Sequence, residues 1–430
     1  MAEGVQSGIS VQLLGLSVTC SKVNREENTD LKGTKLFDKV NYSAMQEDCS
    51  MKYRKLGRTA IDVGVIGLGA EYLEHASGDT ITSVVHEAID NGVNYIDLFM
   101  ASPSVRDNFG TALENKRHKV MIAGHLGSIL QNGQYCRSRD RVLCERFIDD
   151  LLIRLRTDYV DTLVLHYIDE FDDYETVFNS ESLLELALLL KQKGKARLIG
   201  LSSHNMPVAL KAVESGHIDV LMFPVNPAFD TFSGDAVFIE EDGTYTQLGL
   251  TEKRSTPERK ELYHACAIKG MGIVAMKPYA AGVLLRKDNP SGIMLTPVQC
   301  INYALSQPAI CTVVPGCRNV KEMRAALAFL DASDKEKDYS SIDVNPMWKL
   351  RGSCMYCNHC SPCPVGIDIG ATTRITDIAG YKINNNVVSE YEALSVKASA
   401  CTECNVCMER CPFGVDVVSN MTRAVRIFSK

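Results

Sequence analysis

From residue 51 onward, short runs of β-branched and aliphatic residues alternate with longer stretches in which apolar positions recur every three or four residues. Near-continuous apolar runs suit strands buried on both faces, and the 3.6-residue rhythm suits the helices that cover them. The runs 63–69, 94–98, 119–123, 161–165, 197–201, 219–223, 272–276 and 311–315 predict eight strands. Between them, 81–91 reads as a helix ended by an Asn-Gly stop, 141–155 as an amphipathic helix, and 182–193 as a helix ending before Gly194. Eight such units within 51–331 predict an α/β fold, a (β/α)8 TIM barrel whose active site lies on the loops that follow the strands. Residues 1–50 show no sustained periodicity, which predicts a poorly ordered extension without readable chemistry. The stretch 228–257, rich in Asp, Glu, Gly and Thr, reads either as a substrate lid or as a solvated excursion. A charged run at 333–338 predicts a boundary, after which 345–430 forms a separate C-terminal domain, with helices expected inside 364–400.

Composition narrows the function classes. Hydrophobic residues make up 45% of the 430 and charged residues 23%, the usage of a globular protein. A net charge of -7 with no basic tract argues against nucleic acid as a partner. No run approaches the roughly 18–20 consecutive apolar residues that cross a bilayer, so no membrane association is expected. The N-terminal apolar run lacks a preceding basic segment and a cleavage site, and the expected location is cytoplasmic.

Of the 16 cysteines, eight fall in two tight runs. The second, Cys401, Cys404, Cys407 and Cys411 followed by proline, has the C-x2-C-x2-C-x3-C-P spacing of bacterial ferredoxins, in which the fourth thiolate crosses to a second cluster. The first, Cys354, Cys357, Cys360 and Cys363 followed by proline, is one residue shorter at its last interval. Neighbours two residues apart do not form unstrained disulfides, so these are ligand runs. Two [4Fe-4S] clusters are the expected cofactors: Cys354, Cys357, Cys360 and Cys411 hold one, and Cys401, Cys404, Cys407 and Cys363 the other. Paired zinc sites are the alternative. The remaining cysteines, Cys20, Cys49, Cys136, Cys144, Cys266, Cys300, Cys311 and Cys317, lack ligand spacing and read mostly as small buried hydrophobes. Reduced thiols beside such ligands suit a reducing, oxygen-poor interior.

Seven segments carry a family resemblance: 51–59 (MKYRKLGRT), 66–69 (IGLG), 92–97 (GVNYID), 165–166 (LH), 199–205 (IGLSSHN), 276–278 (MKP) and 314–316 (VPG). Together they resemble the aldo-keto reductases, in particular the bacterial branch with a C-terminal ferredoxin domain, whose C-x2-C-x2-C-x2-C-P-x-G-I run is matched by 354–367. The resemblance implies hydride transfer between a nicotinamide and a carbonyl, with a tyrosine proton donor tuned by Lys, Asp and His. Asp97 and His166 stand at the Asp and His positions. Ser102 stands where the family has its tyrosine, and His125 where it has its lysine. A serine hydroxyl is far less acidic than a phenol, so it is a poor donor, whereas imidazole titrates near neutrality. The expected roles are therefore substrate orientation by Asp97 and His166, proton transfer by His125, and a hydrogen bond from Ser102.

Two further sites follow from the strand ends. Glu71, Asp97, His125, His166 and His204 follow successive strands and converge over a barrel mouth, where they offer an additional mononuclear Zn, Mn or Fe site. For NADP(H), the resemblance implies phosphate binding by Gly316, Arg318 and Lys321 at the helix after the eighth strand, and nicotinamide contacts by Ser202, Asn205 and Asn226. The leading reading is an oxidoreductase of a small carbonyl or hydroxyl substrate, exchanging electrons with NAD(P)H or, through its clusters, with a redox partner protein of ferredoxin or flavodoxin type. A metal-dependent lyase, isomerase or hydrolase and a non-catalytic electron carrier are the competing readings.

Overall fold

A computed structural model describes residues 51–430 apart from 132, 232–237, 240–244, 247–258, 281, 288–292, 345–353, 355–359, 361, 412–413 and 430. The expected extension 1–50, most of the expected lid, and Cys20, Cys49 and Cys357 lie outside the described residues.

Eight parallel strands form one sheet: β1 (Leu68–Gly69), β2 (Tyr95–Leu98), β3 (Met121–Leu126), β4 (Val160–Leu165), β5 (Ala196–Ser202), β6 (Val220–Pro224), β7 (Gly272–Met276) and β8 (Ile310–Val314). Each pairs with the next in sequence order, and parallel bridges from Ile66 to Val313 and from Gly69 to Gly316 join first to last, closing the barrel. Every residue of β2, β3, β4, β6 and β8 is buried, as the continuous apolar runs predict. Alternate side chains enter the barrel interior, where Tyr95, Met121, Ala123, Val164, Met222, Val274 and Val314 pack together.

Two strand assignments shift. The expected first strand divides, because Asp62–Gly64 turns back to pair antiparallel with Tyr53–Lys55. Leu56 and Val63 of this hairpin are fully buried in the interior cluster, so the hairpin plugs the end where the strands begin. The expected third strand starts later, because 117–119 forms a 3-10 turn whose Arg117 donates back to the carbonyl of Val120 and to Asp161. His125 consequently lies inside β3.

The expected helices form as Gly78–Asp90, Arg141–Arg154 and Leu183–Gln192. Helix Pro103–Ala112 meets the end of Arg141–Arg154 at Gly110, where an added Cβ would lie 2.1 Å from the carbonyl oxygen of Arg154. Gly110→Ala is expected to cost about 1–3 kcal/mol by forcing the backbones apart. A lower urea midpoint at unchanged slope would show it; an unchanged midpoint would refute it.

Beyond the barrel, helices Ile369–Tyr381 and Asn385–Glu392 lie between the two cysteine runs in sequence, Val406–Arg410 lies within the second run, and Val417–Phe428 follows it. Asp368, Asn384 and Asp416 cap three of them by accepting a backbone N–H. Their apolar residues Ile375, Val387, Tyr391 and Met421 join one cluster with Ile268, Tyr303 and Tyr339 of the barrel side. Asn384 Nδ2 donates to the Ile268 carbonyl at 2.8 Å, and Lys260 Nζ to that of Cys354 at 3.3 Å, so the segment sits against helix Arg259–Lys269.

Candidate active site

The interior columns that begin with Tyr95, Met121 and Thr162 end, two residues per step, at Asp97, His125 and His166. The structure brings these three together. His125 Nε2 lies 2.8 Å from Asp97 Oδ1, and His125 Nδ1 lies 2.8 Å from His166 Nδ1. All three are buried, and burial together with the neighbouring His125 holds the His166 imidazole well below its ordinary pKa, so His166 is neutral.

A fourth member was not foreseen. After β3 the chain forms a hairpin, Ser128–Gln131 paired with Gln134–Arg137, that brings Tyr135 to His166 with its hydroxyl 2.6 Å from Nε2. Burial pushes the Tyr135 phenol up to about 12. The signal lay in the sequence: Asn132-Gly133 between two short alternating runs is a strong hairpin motif, and Gly133 has the positive φ, 76°, that such a turn requires.

Other expected site residues take different places. Ser102 precedes helix Pro103–Ala112, with its hydroxyl 3.0 Å from that of Ser104. His204 is fastened to its loop by Asp169, which accepts from its backbone N–H at 2.6 Å and lies 3.0 Å from Nδ1. Glu71, just past β1, has its carboxyl pushed up chiefly by desolvation, against the pull of Lys277. The expected mononuclear metal at the mouth gains no support from the arrangement of Glu71, Asp97, His125, His166 and His204. The reason is visible in the hydrogen bonds: both nitrogens of His125 and both of His166 already have partners.

At the expected dinucleotide seat, protein side chains contact one another. Glu322, in the first turn of helix Val320–Leu327, accepts the Arg318 backbone N–H at 2.8 Å and lies 3.5 Å from its guanidinium. The Tyr72 ring occupies the space beside Gly316, 2.6 Å from where a Cβ would lie, and the Arg318 guanidinium covers that ring at 4.4 Å. Lys321 is exposed. Ser202 accepts from the backbone N–H of Tyr167, Asn226 donates to the carbonyl of Lys277, and Asn205 begins helix Met206–Ser215. Glu322 thus offsets part of the positive charge that Arg318 brings to the expected phosphate seat.

In the C-terminal segment, Cys363, Cys401, Cys404 and Cys407 line one small pocket together with Ile367, Ile369 and Met421. Cys354, Cys360 and Cys411 pack against the same apolar cluster. Of the solitary cysteines, Cys144, Cys266, Cys300, Cys311 and Cys317 are buried, as expected, while Cys136 is half-buried.

A pH dependence follows from the histidines. Burial lowers the pKa of His166 and His204, and that of His264 to about 4. Burial holds each toward the neutral form in the fold, whereas the unfolded imidazole binds a proton near pH 6.5, so acid favours the unfolded chain. Stability is expected to be full above about pH 6.5 and to fall toward about 4. Melting between about pH 7.5 and 5.5 should show a smaller slope for His264→Gln than for the unaltered protein; equal slopes would refute the assignment.

Comparison with known proteins agrees with this architecture. Residues 60–297 match the Aldo/keto reductase family, and 353–416 match the 4Fe-4S dicluster domain. The chain is 25% identical over 292 residues to the uncharacterized oxidoreductase YqkF of Bacillus subtilis, covering 64% of this chain and 89% of that one. It is 26% identical over 252 residues to L-galactose dehydrogenase of Arabidopsis thaliana, covering 56% and 69%. Among solved structures, the aldo-keto reductase AKR11C1 from Bacillus halodurans superposes with a TM-score of 0.53 at 20% identity, covering 68% of this chain and 96% of that one, a likeness of fold. Among the described residues no helix is long and apolar enough to cross a membrane. A closed barrel matched over more than half of the chain, with a dicluster segment packed on its flank, places this protein in the aldo/keto reductase family.

Proposed function

We propose that the protein interconverts a small carbonyl compound and its alcohol at the barrel mouth, with electrons carried by two [4Fe-4S] clusters. Cys363, Cys401, Cys404 and Cys407 hold one cluster, and Cys354, Cys357, Cys360 and Cys411 the other. When bound, the clusters supply one electron each, which together match the two-electron change between carbonyl and alcohol. The observation that carries the reading is the buried string Asp97–His125–His166 beneath the mouth of a barrel that also bears the cysteine segment. Asp97 orients His125, and His125 and His166 store and pass the proton that the oxygen gains or loses. Cys404 is exposed, which favours electron exchange with a small one-electron carrier of ferredoxin or flavodoxin type at that surface.

The test is purification without oxygen, iron and sulfide analysis, and turnover of a carbonyl panel with chemically reduced protein or with NADPH. About eight irons per chain and turnover by the reduced protein are expected. An iron-free protein, or turnover that needs NADPH alone and persists after cluster removal, would refute the reading.

A further inference from the structure

We infer that Tyr135, carried over the mouth by its hairpin, is the catalytic residue that exchanges a proton with the substrate oxygen, and that His166 and His125 recharge it. This rests on the oxidoreductase reading and adds the missing acid to it. Ser102, where the family's tyrosine would stand, is engaged with Ser104, and both nitrogens of His125 are taken. Of the four linked side chains, His125 and His166 are only 4% and 5% exposed and Asp97 9%, whereas Tyr135 is 42% exposed. A substrate oxygen arriving from solvent therefore reaches the phenol first.

The hairpin is built to hold that phenol in place. Ser138 N–H donates to the Gly127 carbonyl at 2.9 Å, closing its base, and Ser128 Oγ donates to the Phe99 carbonyl at 2.6 Å. Phe99 lies flat against the His166 ring, with centroids 5.6 Å apart, and meets the Tyr135 ring edge-on at 5.9 Å. The Tyr135 and His166 rings stand at 90°. This packing aims the hydroxyl at Nε2.

The string can be protonated in two ways. With neutral imidazoles, His125 Nε2–H donates to the Asp97 carboxylate, His166 Nδ1–H donates to His125 Nδ1, and the Tyr135 hydroxyl donates to His166 Nε2. The Tyr135 oxygen then accepts from a substrate hydroxyl. One added proton on the string reverses the two bonds nearer the mouth. His125 donates to His166, His166 donates to the Tyr135 oxygen, and the phenolic O–H is free to donate to substrate. In carbonyl reduction the phenolic O–H breaks as the substrate O–H forms, the phenolate takes the His166 Nε2 proton, and His166 takes the His125 Nδ1 proton. His125 ends neutral. The string supplies only the oxygen's proton; when bound, the clusters would supply two electrons and solvent the second proton, so one carbonyl group, two electrons and two protons give one alcohol.

The test uses the cluster-loaded protein with Tyr135→Phe, His125→Ala and the double variant. Tyr135→Phe is expected to lower kcat by about 10²-fold or more with unchanged iron content. The double variant should be little worse than either single one, because the residues act in series. Nitrogen-15 NMR of the His166 ring should show Nε2 shifting in Tyr135→Phe. Full turnover in Tyr135→Phe beside its loss in His125→Ala, or an unmoved Nε2, would overturn the proposal and leave the oxidoreductase reading standing. Unaltered protein that turns over no substrate would remove both.

Discussion

Replacing His125 with alanine is expected to lower turnover by about 10²–10⁴-fold, the range for loss of general acid–base catalysis, while iron content stays unchanged. His125 is the middle of the string, bonded through one nitrogen to Asp97 and through the other to His166, each at 2.8 Å. Alanine cuts both links, so no proton reaches His166 from the buried side and the Asp97 carboxylate loses its partner. Steady-state kinetics on anaerobic protein, beside iron analysis, would check this. The effect should fall on kcat rather than KM, since His125 is too buried to bind substrate directly. Turnover within a few-fold of the unaltered protein would refute the assignment. A hydrolytic or lyase activity restored by added zinc would revive the metal reading.

The second large effect is structural. Asp230, on a short helix after β6, accepts from Arg259 Nε at 2.8 Å, Tyr263 hydroxyl at 2.7 Å and Tyr303 hydroxyl at 3.0 Å. Burial pushes its carboxyl up, and Arg259 with the two phenols pulls it back. Among the described residues, Asp230→Ala leaves a largely buried guanidinium without its counter-charge and two phenols without this acceptor. The expected cost is about 3–5 kcal/mol. Tyr303 stands edge-on to Tyr339 at 5.4 Å, and both belong to the apolar cluster that reaches the cysteine segment. Loosening Asp230 should therefore also speed iron loss to a chelator. Adding Arg259→Met to Asp230→Ala should recover part of the stability, because no unpaired charge is then left inside. A melting temperature unchanged in Asp230→Ala would show that the cluster does not bear on the fold.

The cysteine runs and the strand rhythm were legible from the sequence because each is a local pattern. Thiolate spacing is set over a dozen residues, and a strand buried on both faces is apolar at every position. Family motifs at the strand ends likewise marked Asp97 and His166 before any geometry was known. The shift of β3 was less legible, since it depends on Arg117 reaching Asp161, a residue far along the chain. Asn132-Gly133 announced a hairpin, yet nothing local said that its tyrosine would fall on a histidine 31 residues later.

The chain's own pattern determined an eight-stranded barrel, a two-cluster cysteine segment and a mouth supplied with Asp97, His125 and His166. Only the tertiary structure decided how those groups are used. Barrel closure sets the columns side by side, so two imidazoles that looked like metal ligands bond to each other and to their neighbours. Packing put Glu322 against Arg318 at the expected phosphate seat and Tyr135 over the mouth. Hydrogen-bond partners are chosen by distance in space, and sequence spacing encodes that distance only within a single element.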